Sequence, residues 1–194
     1  TAPGTFAVIV CGLLGAAVGN KLIFWVEYPQ LWATHASGVG VLLTGQSIVG
    51  ALLGGWIGVE IGKRIAGISA RTGDDYVLPI LSGLVIGRIG CFLAGLQDNT
   101  YGLPTKLPWG VDFGDGMPRH PTQLYECILA LIALLSWPRW RLLFARTPGL
   151  AFRVFMLGYL LCRVCLDMIK PVPYKYVFGL SGIQLICIFG AALI

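Results

Sequence analysis

Six apolar stretches of roughly membrane-spanning length, separated by short polar connections, constrain this chain more than any other feature. They run over 3–25, 38–61, 76–96, 123–140, 149–168 and 176–194. About 20 predominantly apolar residues cross a bilayer as a helix, and in lipid only helices or closed barrels satisfy every backbone amide. The pattern predicts an all-α, polytopic membrane bundle of about six transmembrane helices. Composition agrees: 56% of the 194 residues are hydrophobic and 12% charged, half the charge typical of soluble domains. Residues 1–194 are read as one transmembrane domain, with 97–121 as a long loop within it. A net charge of +5 raises nucleic acid as a partner, but the charges are scattered between apolar segments, so no nucleic acid is expected. The sequence opens on Thr1, which predicts that residues ahead of it were removed, and no signal peptide is recognisable there.

The connections sort by charge. The second carries Lys63, Arg64 and Arg71 and the fourth Arg139, Arg141 and Arg146, whereas the third has Lys106 and Arg119 and the fifth Lys170 and Lys175. The positive-inside rule places the second and fourth in the cytoplasm, and with them both ends of the chain. The 97–121 loop then lies outside, where Trp109 and Phe113 suggest a lid at the interface; an inert ordered loop is the alternative. Gly50, Gly54, Gly58 and Gly62 form a stripe on the second span, and Gly15/Gly19 and Gly83/Gly87 repeat its spacing. Such stripes let helix backbones approach and pack by dispersion. All six cysteines lie in apolar segments, as small hydrophobes rather than a disulfide framework. Cys162 and Cys165 have redox-like spacing but fall inside an apolar helix. No metal site and no cofactor are expected.

Two arginines, Arg88 and Arg163, stand inside apolar spans. A guanidinium at the bilayer centre costs about 2.5–3.5 kcal/mol on translocon scales, so each needs an anion or a wet cavity. Asp167 follows Arg163 by one helical turn and can neutralise it locally, which leaves Arg88 unanswered. Paired arginines suit bidentate binding of a phosphodiester. His120–Glu126 opens the fourth span, with Pro121 suited to a first helical position. Gln123 and Glu126 share one face there, for capping and interhelical bonds or for direct contact with a ligand. His120 is chemically able to act as acid or base, although a positional role fits its place at the cap.

These residues resemble the bacterial prolipoprotein diacylglyceryl transferases. The family signature Gly-Arg-x-Gly-Asn-Phe-x-Asn-Gly-Glu is similar to Gly87-Arg88-Ile89-Gly90-Cys91-Phe92-Leu93-Ala94-Gly95. The likeness continues through Tyr101–Thr105, Leu107–Trp109 and Arg119–Glu126, and more weakly through 15–25, 158–170 and Gly182-Ile183-Gln184. It implies transfer of diacylglyceryl from phosphatidylglycerol, or a related phospholipid, to a thiol in a lipobox-containing protein acceptor, releasing glycerol phosphate. It also implies a site open to the outer face of the bacterial cytoplasmic (inner) membrane. By carry-over Arg88 and Arg163 would bind the phosphate, Asp167 would orient Arg163, and Lys170 would replace a further arginine. His120, Gln123, Tyr125 and Glu126 would line the site. Departures are equally specific. Gln46 stands where the family has the histidine of His-Gly-Gly, Cys91 and Ala94 replace asparagines, and the family's first helix has no counterpart in this sequence. Cys91 beside Arg88 is a nucleophile or a packing residue. Two other readings remain open: a catalytically silent lipid-binding subunit of a membrane complex, and a small anion transporter.

Overall fold

The computed structural model describes residues 2–31 and 45–194. They contain six α-helices in the predicted order: α1 (Ala2–Glu27), α2 (Ile48–Ala66), α3 (Asp74–Ala94), α4 (Thr122–Phe144), α5 (Leu150–Asp167) and α6 (Gly182–Leu193). The all-α membrane reading holds. Three helices are long and apolar enough to cross a bilayer: Gly4–Glu27, Asp74–Asp98 and Thr122–Phe144. The helices α2 and α5 have adequate length but carry Glu60, Lys63, Arg64 and Arg153, Arg163, Asp167. The last helix is shorter than expected, at 12 residues. Before it, Val177–Gly179 instead form a 3-10 turn in which Phe178 adopts φ 58° and Gly179 φ 74°, a left-handed backbone that cannot propagate a right-handed helix. Part of the predicted second span, 38–44, lies outside the described residues.

The chain divides into two compact units, one of residues 1–70 and 172–193 and one of 71–171. In the first, α1 and α2 pack through glycine. A Cβ built on Gly15 would sit 2.3 Å from the Gly54 carbonyl oxygen, and one on Gly54 would sit 2.2 Å from that of Gly15. Gly19 and Gly50 face each other in the same way, and Gly58 abuts the Cys11 carbonyl. The helices therefore meet backbone to backbone, which any side chain would prevent. The outer face of α1 exposes Phe6, Leu13, Leu14 and Val18, a surface suited to lipid. At the start of α6 a reciprocal capping box closes. The Ser181 amide donates to Gln184 Oε1 at 3.0 Å, and the Gln184 amide donates to Ser181 Oγ at 3.0 Å.

In the second unit α3, α4 and α5 surround Val77, Leu81, Phe155, Met156 and Leu160. Gly149 precedes α5 with φ 84° and offers no capping side chain. Asp74, at the head of α3, supplies the cap from outside: Oδ2 accepts from the Gly149 amide at 2.7 Å and Oδ1 from the Phe152 amide at 2.8 Å. Gly83 and Gly87 differ from the stripe on α2, since a Cβ at either would meet nothing within 4 Å. Their spacing matches, but no helix among the described residues docks there. The cysteines also divide: Cys127 and Cys187 are buried, Cys11 and Cys91 half-buried, and Cys162 and Cys165 exposed. In a membrane helix, exposure to lipid suits a small apolar thiol as well as burial does.

Candidate active site

The connection from α3 to α4 is ordered. Residues 95–98 continue α3 as a 3-10 turn, and Val111–Asp112 (β1) pairs antiparallel with Pro118–Arg119 (β2). Asp112 Oδ1 accepts from the amides of Gly114, Asp115 and Gly116 at 2.8–3.1 Å, which folds the hairpin turn. The loop then returns onto the head of α4. The Gly102 amide donates to the His120 carbonyl, the His120 amide to that of Leu103, and the Leu103 amide to that of Ile169. A Cβ on Gly102 would lie 2.6 Å from the His120 Cβ and 2.9 Å from the Ile169 carbonyl oxygen. Glycine is the residue that lets the strand pass between them.

Beneath this loop the buried charges converge on Glu126. Its Oε1 accepts from Arg163 Nη1 at 2.9 Å and from Lys170 Nζ at 2.6 Å, while Oε2 pairs with Arg88 Nη2. Arg163 Nη2 stands 3.6 Å from Asp167 Oδ1. Arg88, Glu126, Asp167 and Lys170 are all buried. The sequence pairs Arg163 with Asp167 and leaves Arg88 without a protein anion. In the structure Glu126 answers both arginines and Lys170 together. Three cations against two carboxylates leave the cluster with one net positive charge. Such a set is held by mutual attraction against a large desolvation cost, so loss of any one member strands the rest. Burial, reinforced by Arg163, pushes the Lys170 ammonium down to about 8, although Glu126 opposes the shift.

The other predicted residues divide between two settings. Cys91 Sγ lies 3.9 Å from Arg88 Nη1, beside the cluster. His120 and Tyr125 belong to the loop contact: the indole of Trp109 donates to the Tyr125 hydroxyl at 2.9 Å, and His120 Nδ1 lies 3.2 Å from that same oxygen. Gln123 is fully buried one turn before Glu126. Gln46 is exposed in the other compact unit, immediately before the Ser47 cap of α2. The central place of Glu126 is what the sequence reading missed. Its signal was an acid inside an apolar span with no basic residue within a helical turn.

A cavity of about 250 Å³ adjoins the cluster. Arg88, Glu126 and Arg163 line one part of it, and Leu81, Ala130, Phe155 and Trp140 are among the apolar residues lining the remainder. Along α4 its lining extends from Glu126 to Trp140, about 21 Å of helix. The arrangement offers an anionic group a charged end and an aliphatic chain an apolar slot.

Residues 4–194 match the family described as prolipoprotein diacylglyceryl transferase. Three similar proteins carry the name phosphatidylglycerol–prolipoprotein diacylglyceryl transferase. That of Nitratidesulfovibrio vulgaris is 32% identical over 87% of this chain and 62% of its own length. That of Cupriavidus pinatubonensis is 34% identical over 76% of this chain and 55% of its own. That of Clostridium tetani is 30% identical over 95% of this chain and 75% of its own. The chain spans about three fifths of the length of the first two. With the match running through the buried arginines, the ordered loop and the helix that carries Glu126, this integral membrane chain belongs to the prolipoprotein diacylglyceryl transferase family.

Proposed function

We propose that the chain performs phospholipid-dependent diacylglyceryl transfer, taking the group from phosphatidylglycerol at the outer face of the bacterial inner membrane. One observation carries the reading: the cavity joins a cationic end at Arg88 and Arg163 to an apolar slot ending at Trp140. An anionic phospholipid is complementary to both parts. Arg88 and Arg163 hold the phosphate, with Asp167 orienting Arg163 and Lys170 and Glu126 fixing the set. His120 and Tyr125 hold the loop through Trp109, with His120 available for proton transfer. Cys91 lies beside Arg88 at the charged end.

The acceptor is a prolipoprotein thiol. Its sulfur attacks the glyceryl carbon, the carbon–oxygen bond to phosphate breaks, and glycerol phosphate leaves with the electron pair. The thiol proton passes to a base. Negative charge on the phosphate grows as that bond breaks, so a net cationic cluster stabilises the transition state more than the bound lipid.

A second reading is supported by Gln46, which cannot accept a proton near neutral pH where the family has a histidine. In that reading the chain binds the lipid without turning it over. Detergent-solubilised protein supplied with headgroup-labelled phosphatidylglycerol and a lipobox peptide separates the two. Release of labelled glycerol phosphate, abolished in Arg88→Ala, supports transfer. Saturable lipid binding without release selects the silent subunit, and absence of both overturns the proposal.

A further inference from the structure

Gln123 is a fully buried polar side chain in the second unit that neither reading above explains. It is 0% exposed, and neither Oε1 nor Nε2 has a hydrogen-bond partner. A buried amide with both ends unmade is a rare and unfavourable arrangement. Its neighbours on the same turn have partners: Thr122 Oγ1 donates to the Thr100 carbonyl at 2.6 Å, and Glu126 pairs with three cations. Arg88 Nε and Glu126 Oε2 also lack a hydrogen bond, but both side chains are held in ion pairs, whereas Gln123 has both ends of its amide unmade.

Its position suggests the missing partner. Gln123 and Glu126 lie at i and i+3, with their Cβ atoms about 5–6 Å apart on one face of α4. The apolar slot extends from Glu126 in the opposite direction, toward Trp140 near the C-terminal end of the helix. A phosphodiester has two substituents. If the phosphate sits at Arg88 and Arg163 with its diacylglyceryl arm in the slot, its other alcohol points toward the head of α4, where Gln123 stands. We propose that Gln123 reads this alcohol, bonding the hydroxyl groups of a neutral polyol headgroup, and so selects the donor lipid. A primary amide offers one acceptor and two donors, which matches adjacent hydroxyls. An ammonium headgroup would instead approach a cluster with net positive charge. This assignment rests on the phosphodiester-binding reading above and makes Gln123 its specificity residue.

The test compares short-chain phosphatidylglycerol with short-chain phosphatidylmethanol, which keeps the phosphodiester and lacks headgroup hydroxyls, in direct binding to the full chain in detergent. The wild-type chain prefers phosphatidylglycerol by about tenfold, the scale of one well-made hydrogen bond. Gln123→Met brings that preference close to one while leaving phosphatidylmethanol affinity unchanged. Because it removes an unbonded amide, it also leaves the thermal midpoint of the lipid-free protein unchanged or higher. Gln123→Asn keeps the amide but withdraws it by one methylene, and gives an intermediate preference. Equal wild-type affinity for the two lipids overturns the assignment. So does a Gln123→Met protein that keeps the tenfold preference, or one that loses both affinities equally. Arg88→Ala tests the underlying reading separately: it weakens both lipids alike, and if both bind it normally the phosphodiester site itself is wrong.

Discussion

The two compact units are held by opposite means. In the first, α1 and α2 meet at bare backbone, with Gly15 and Gly54 each filling the space the other leaves. In the second, α3, α4 and the end of α5 are joined through one carboxylate shared by Arg88, Arg163 and Lys170. Dispersion between glycines has no polar partner to lose and depends on fit alone. A buried ionic set is attractive only while it is complete, but it can present charge to a ligand. The chemically expensive pairing is the one that borders the cavity.

The largest effect that separates the two comes from Glu126→Ala. It leaves three cations facing one another without their shared acceptor, and the expected loss is about 3–5 kcal/mol of stability. Chemical denaturation in mild detergent measures it; a loss below about 1 kcal/mol would mean that the carboxylate does not bind the set together. Next comes a matched pair of glycine substitutions. Gly54→Val drives a side chain into the Gly15 carbonyl and costs about 1–3 kcal/mol or more. Gly87→Val, on the face of α3 where nothing lies within 4 Å, stays within about 0.5 kcal/mol. Equal thermal midpoints for the two variants would remove the distinction between a docked stripe and a free one.

The smallest effect is a pH profile. Lys170 titrates near 8 in the folded chain, below its ordinary value. As pH rises through 8 the cluster loses its net positive charge, so binding of anionic phospholipid weakens between about pH 7 and 9. Stability moves the other way: between 8 and the ordinary lysine range the unfolded chain binds the extra proton, so folding becomes more favourable as pH rises. Lys170→Arg flattens both profiles, since a guanidinium stays charged throughout. Lipid binding that is independent of pH in the wild-type chain would remove Lys170 from the charge balance.

Much of this architecture was legible because lipid is a strict solvent. Apolar length located the helices, glycine spacing marked stripes able to dock, and an arginine in an apolar run pointed to the buried charge cluster. What escaped is what local spacing cannot encode. Gly83 and Gly87 repeat the docked pattern, yet spacing does not say which helix faces it. Glu126 meets Arg163 and Lys170 across 37 and 44 residues, so its partners were invisible one span at a time. The stretch 176–181 is as apolar as a helix, but its left-handed backbone at Phe178 and Gly179 ends the regularity. Thr122, Tyr125 and Trp109 were recognisable as a motif, whereas the hydrogen bonds that tie the loop to α4 required coordinates.

The Asp74 carboxylate bears on the order in which the chain can assemble. It satisfies amides at the start of α5 that lie 75 and 78 residues further along. Until those later residues emerge, the acid has nothing to hold; until the acid is in place, the first turn of α5 begins with open donors. The contact closes a long loop and rewards its entropy only at the end. A chain arrested after α4 would therefore wait, with its third helix already carrying the stopper for its fifth.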